Sequence, residues 1–148
     1  MNAINYFFED VKSCKHQLPT KRWIKQCVGK ENHFLGCINF IFCSDEYLRS
    51  INAKYLKKTY LTDVISFKHM PPKTTRTVSN KDNAVFGDIF ISIERVNENK
   101  TTYKTIFAKE LQRVMIHGVL HLIGYKDASQ KEKELMTKKE NKYINLLK

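Results

Sequence analysis

The sequence predicts an α/β (α+β) fold: a small four-stranded mixed sheet packed with about five helices, in one domain over 1–148. Three observations carry this. The chain has 148 residues, one domain's length. Hydrophobic residues make up 42% and aromatics 11%, which supports a core and argues against disorder. Strand-like and helix-like segments alternate through the first half, and helical patterns then dominate. No repeat and no long linker interrupts that order.

Ile4–Phe8 is apolar and β-prone, and predicts the first strand. Pro19 and Thr20 open a helix over Lys21–Val28, with Thr20 as its cap. Gly36–Cys43 reads as a strand. Ile38, Phe40 and Phe42 point one way, and Cys37, Asn39 and Ile41 the other. Ser44 caps a helix over Asp45–Leu56, where Tyr47, Leu48, Ile51 and Tyr55 form an apolar stripe.

Thr62–Phe67 is a short strand. Residues 68–83, with Pro71, Pro72, Asn80 and Asn83, read as a loop. Val85–Ile91 is a strand that Gly87-Asp88 is expected to interrupt, and Ile93–Lys100 is polar and tolerates a helix. A long helix over Tyr103–Ile123 is expected to turn Ile106, Phe107, Leu111, Val114, Met115, Val119 and Leu122 to the core. Ser129-Gln130-Lys131-Glu132 is a capping box that starts a last helix through Leu147.

The formal net charge is +11, from 26 Lys+Arg against 15 Asp+Glu, so the expected partner is an anion, above all nucleic acid. Most of these cations are Lys, which meets phosphate as a point charge. Cys14, Cys27, Cys37 and Cys43 have no C-x-x-C spacing, and are expected as reduced, partly buried thiols. Residues 1–10 do not read as a signal peptide, and no run approaches the roughly 20 apolar residues of a membrane span. The expected location is cytoplasmic, with no membrane partner.

The chemistry concentrates in His117-Gly118-Val119-Leu120-His121-Leu122-Ile123-Gly124-Tyr125-Lys126-Asp127. Residues four apart on a helix stack one turn above each other, about 5–6 Å between Cβ atoms, so two imidazoles can converge on one ion. Gly124 permits a left-handed turn that brings the chain back, with Asp127 six residues past His121. Two imidazoles and a carboxylate would leave a coordination position open. With five histidines in the chain the pair alone is weak, and two core histidines would explain it. The glycine and the acid in register make metal binding the better reading. His16, His33 and His69 have no such context, and a surface role is expected for His69. The spacing also occurs in zinc peptidases, which need Glu after the first histidine. Gly118 stands there, against peptide hydrolysis.

At this point the chain resembles the YbeY family of metal-dependent endoribonucleases of bacterial ribosomal RNA maturation. Three blocks carry the likeness: Asn52-Ala53-Lys54-Tyr55 leading to Leu61-Thr62-Asp63-Val64-Ile65-Ser66-Phe67, then Gly87-Asp88-Ile89-Phe90-Ile91-Ser92, then His117 to Tyr125. They span about residues 36–136 with their spacing. The resemblance implies a four-stranded mixed sheet with helices around it.

Two departures from the family stand out. Most members carry a third histidine where this chain has Asp127. A carboxylate is a competent zinc ligand, but it cancels one unit of the ion's charge and leaves bound water less acidic. The set also suits Fe(II) or other divalent ions. The family often places an arginine, implicated in catalysis, where this chain has Leu56.

The resemblance thus implies a metal-dependent endoribonuclease preferring single-stranded RNA in ribosomal RNA processing. One Zn2+, or another divalent ion, would sit on His117, His121 and Asp127. Lys57, Lys58, Arg113 and Lys126 are candidates to hold the RNA backbone, and Asp63 and Asp88 to orient ligands or water. A ribosomal subunit or ribosomal protein is a possible partner. Two other readings stay open: an RNA- or ribosome-binding assembly factor with a structural metal, and a metallohydrolase of another substrate. The sequence is silent on oligomeric state.

Overall fold

The computed structural model describes residues 3–57, 62–70 and 83–147. Lys58 and most of the 68–83 segment lie outside them. Four strands form one sheet in the order β1 (Ala3–Phe8), β2 (Phe34–Cys43), β4 (Ala84–Ser92), β3 (Val64–Lys68). The first three are parallel, and β3 runs antiparallel to β4. Among the described residues five α-helices surround it: α1 (Lys21–Lys30), α2 (Asp45–Leu56), α3 (Ile93–Thr102), α4 (Phe107–Ile123) and α5 (Gln130–Ile144). The mixed four-stranded α/β architecture is the one expected.

The period-2 pattern of β2 builds both faces of the sheet. Ile38, Phe40 and Phe42 are fully buried in the main core, with Trp23 and Ile24 of α1, Met115 and Val119 of α4, and Tyr143 of α5. Cys43 points to the other face, where Leu48 of α2 and Ile65 of β3 make a smaller core. All four cysteines are free thiols. Burial pushes Cys27 and Cys43 up to about 12, so both are inert core residues. The expected caps hold: Thr20, Ser44 and Ser129 each accept a backbone N–H, and Ser129–Glu132 forms the reciprocal box.

Several boundaries differ from expectation. Gly87-Asp88 does not interrupt β4, which pairs continuously from Gly87 to Ser92 with β2. Lys68 belongs to β3 and not to a loop, and Thr62 and Asp63 precede that strand. β2 starts at Phe34, ahead of Gly36, with a register shift between Leu35 and Cys37.

The long helix starts at Phe107 rather than Tyr103. Lys104 adopts φ 54°, and the Thr105 N–H bonds the Lys100 carbonyl, which closes α3 first. Ile106 is therefore a cap residue, 61% exposed, and not part of the core. The last helix is α-helical to Ile144 and ends in a 3-10 turn over Asn145–Leu147. No described helix is long and apolar enough to cross a membrane.

Candidate metal centre

α4 can lie close on the sheet because two facing positions are glycine. A Cβ on Gly118 would stand 2.7 Å from Ile89 Cγ2, and one on Gly87 would stand 2.6 Å from Leu122 Cδ2 and the Phe67 carbonyl. Ser66 Oγ donates to the Gly118 carbonyl at 3.0 Å and ties α4 to β3. The peptidase glutamate is therefore excluded twice: the residue is absent, and the sheet leaves no room for its Cβ.

The C-terminal part of α4 carries His117 and His121 one turn apart. Gly124 then takes φ +127°, and the N–H groups of Gly124 and Tyr125 close on the carbonyls of His121 and Leu120. This reverses the chain and delivers Asp127 to the two rings. His117 Nε2 lies 3.0 Å from His121 Nε2, and Asp127 Oδ2 lies 3.1 and 3.3 Å from them. Ligand atoms about 2.0–2.2 Å from a tetrahedral ion stand roughly 3.3–3.6 Å from each other, so the trio is a few tenths of an ångström from a zinc-sized seat. Among the described residues, no fourth His, Cys, Asp or Glu joins this group.

The other ring nitrogens show why Nε2 faces the seat. His121 Nδ1 lies 2.9 Å from the Tyr125 carbonyl, an acceptor only, so Nδ1 carries the hydrogen and donates it. In the neutral ring Nε2 then keeps its lone pair. His117 Nδ1 lies 2.5 Å from Glu140 Oε2 in the same role. Two lone pairs and a carboxylate oxygen converge on one point, and such a set could hold a cation.

Each prop leads to an acid. Glu140, on α5, is 3% exposed, and its other oxygen lies 3.6 Å from Arg113. Arg113 also binds Glu110, another buried acid, and approaches Asp63 at 3.5 Å. Burial opposes the charge on Arg113, but these carboxylates overcome it and hold its pKa above the ordinary value. Burial likewise works against protonating His117. The Glu140 carboxylate, helped by Asp63 and Asp127, outweighs it and raises that imidazole. Behind Tyr125, its hydroxyl donates to Glu31 at 2.5 Å. Glu31 also accepts from Tyr143 and, at 3.0 Å, from Lys139.

A groove of about 520 Å³ opens beside the trio, lined by His121, Lys126, Lys68, Ser66, Thr62 and Leu56 among others. Lys126 is exposed at its rim, and Leu56, 42% exposed, stands on its wall. Lys57, exposed with φ 54°, ends α2 next to that wall but does not line it. Lys58 falls outside the described residues. Arg113 turns into the protein, toward its carboxylates. Asp63 accepts from Asn99 at 3.2 Å. Asp88 stays away from the ligands: Ile89 touches α4, so its neighbour faces the opposite side, bonding Asn39 and His69 at 2.9 Å each.

Sequence reasoning missed Glu140, Glu31 and Lys68. A signal existed for the first. Met136, Glu140 and Tyr143 form the buried stripe of α5, and an acid on such a stripe must find a partner.

Comparison with known proteins gives one consistent result. Residues 8–148 match the family described as Endoribonuclease YbeY. A protein of Karelsulcia muelleri, named Endoribonuclease YbeY, is 46% identical over 145 residues, covering 98% of this chain and 96% of the relative. Its namesake in Christiangramia forsetii is 42% identical over 143 residues, covering 97% and 93%. A solution structure of a Thermotoga maritima protein superposes with a TM-score of 0.64 at 27% identity, covering 98% of this chain and 89% of that one.

Proposed function

The chain belongs to the YbeY family of endoribonucleases, a class of hydrolases, and from that premise we propose that it cuts single-stranded RNA in ribosomal RNA maturation. His117, His121 and Asp127 would hold one Zn2+, with other divalent ions competing for the same donors. The observation that carries this reading is the trio itself: three ligand atoms 3.0–3.3 Å apart beside a groove with lysines on its walls.

An ion held there would supply Lewis-acid chemistry, polarising a phosphoryl oxygen, activating a water, or both. The chain's own residues do the rest. Lys126 and Lys68 at the groove meet the phosphates on either side of the scissile bond, with Lys57 beyond them. Glu140 and the Tyr125 carbonyl fix the tautomers of the two rings. Asp63 holds Arg113 in place behind His117. Leu56 presents an apolar wall, so backbone charge is met by lysine alone. The compartment is the cytoplasm, and a ribosomal subunit presents the RNA.

Three donors with no fourth side chain among the described residues fit chemistry better than a closed structural site, which disfavours the pure assembly-factor reading. The test is cleavage of a single-stranded RNA. Chelator-stripped protein should lose activity and regain it with zinc. His117→Ala should abolish both cleavage and stoichiometric metal at normal yield. Full cleavage by that variant would overturn the reading.

A further inference from the structure

A second cleft, of about 560 Å³, opens on the other face of the sheet. Its walls are aromatic: Tyr47 and Tyr55 from α2, Phe67 from β3 and Phe90 from β4. Tyr55 meets Phe67 edge-on at 5.7 Å, and Phe67 meets Phe90 edge-on at 5.8 Å. Tyr55 is 56% exposed, although it sits on the apolar stripe of α2.

We propose that this cleft stacks a nucleobase of the RNA strand whose phosphodiester lies at the metal centre. The proposal rests on the endoribonuclease reading and adds a subsite to it. Continuity is the first reason. Lys68 lines both the cleft and the groove beside His121, and the consecutive residues Tyr55 and Leu56 line one each. A strand crossing the rim between Tyr55 and Lys68 passes from one to the other.

Charge is the second reason. The Lys54 ammonium lies 5.2 Å from the Tyr55 ring centroid, and Lys68 stands on the rim. Among the described residues Asp88 is the only acid lining the cleft, and His69 engages it at 2.9 Å. Aromatic faces flanked by cations are how proteins hold single-stranded nucleic acid with little sequence preference. The third reason is the polar end of the cleft. The His69–Asp88 pair places hydrogen-bonding ring and carboxylate atoms beside the aromatic walls, within reach of a base edge, and a purely apolar guest would leave them unused.

The test measures cleavage kinetics on a six-nucleotide single-stranded RNA and on versions with an abasic site at each position in turn. Tyr55→Ala should melt like the parent protein and raise KM at least about fivefold, the loss of one stacked base. Tyr55→Trp should keep the parent KM. One abasic position should raise the parent KM similarly and add nothing further in Tyr55→Ala. An unchanged KM in Tyr55→Ala, or full abasic cost retained in that variant, overturns the proposal while leaving the nuclease intact. So does a dimer that Tyr55→Ala splits in sedimentation, since the cleft would then seat a second copy. Parent protein that cuts no RNA at all fails the endoribonuclease reading, and this subsite with it.

Discussion

His117 and His121 stand one turn apart on the same helix, but two different walls hold them. His121 leans on the carbonyl of Tyr125, four residues on, which the turn at Gly124 swings into place. His117 leans on Glu140, 23 residues away on another helix, and Arg113 backs that acid. The first wall is a local backbone device. The second is an ionic network that exists only after α5 has docked. Even the local wall has a distant anchor, because Glu31 holds the Tyr125 hydroxyl. A metal seat is thus only as precise as the outer groups that aim its rings.

The contrast can be broken from either side. The largest expected effect is at the ionic wall. Glu140→Gln keeps an acceptor for His117 but removes the charge, and should lower zinc affinity about 10- to 100-fold in competition with a chromogenic chelator. Arg113 keeps Glu110 and Asp63, so the loss of stability in urea should stay below the roughly 3–5 kcal/mol of a fully orphaned buried ion.

Gly124→Ala tests the local wall. Its φ of +127° strains any side chain, at a cost of about 1–3 kcal/mol, although nothing would touch the new Cβ. The lost stability should appear in urea melts, and zinc affinity should fall because Asp127 and the Tyr125 carbonyl shift together. Unchanged affinity would mean that the turn does not set the ligand geometry.

The smallest effect is expected at Glu31. Burial raises its pKa, but the hydrogen bonds from Tyr125, Tyr143 and Lys139 prevail, and the carboxyl sits below its ordinary value of 4.5. A carboxyl depressed in the folded state stabilises above that ordinary value and loses its contribution as pH falls through the lowered one. Glu31→Gln should therefore melt below the parent at neutral pH, with the gap narrowing in acid under pH 4.5. A gap constant with pH would show that the charge contributes nothing.

What could be read from sequence follows the same divide. The ligand pair, the turn and Asp127 lie within eleven consecutive residues, and helix periodicity plus one glycine place them. The Gly36–Cys43 strand follows from alternation, as Ile38, Phe40 and Phe42 show, and the other three follow from short apolar runs. Glu140 and Glu31 stayed hidden because their partners are set by packing between helices, which no local pattern encodes. Ile106 misled because it is apolar and in phase with α4, yet Lys104 turns the chain before the helix begins. Gly87 misled in the other direction: it reads as a break in a strand, whereas it admits the close approach of Leu122.

The position of α5 gives the protein a built-in order of assembly. Polypeptides are made from the N-terminus and fold as they emerge. Both imidazoles and the aspartate leave the ribosome before Lys139, Glu140 and Tyr143, the side chains that steady them. A nascent chain would therefore carry His117 unaimed until α5 joined, and a ribonuclease born on RNA would hold an incomplete site until then.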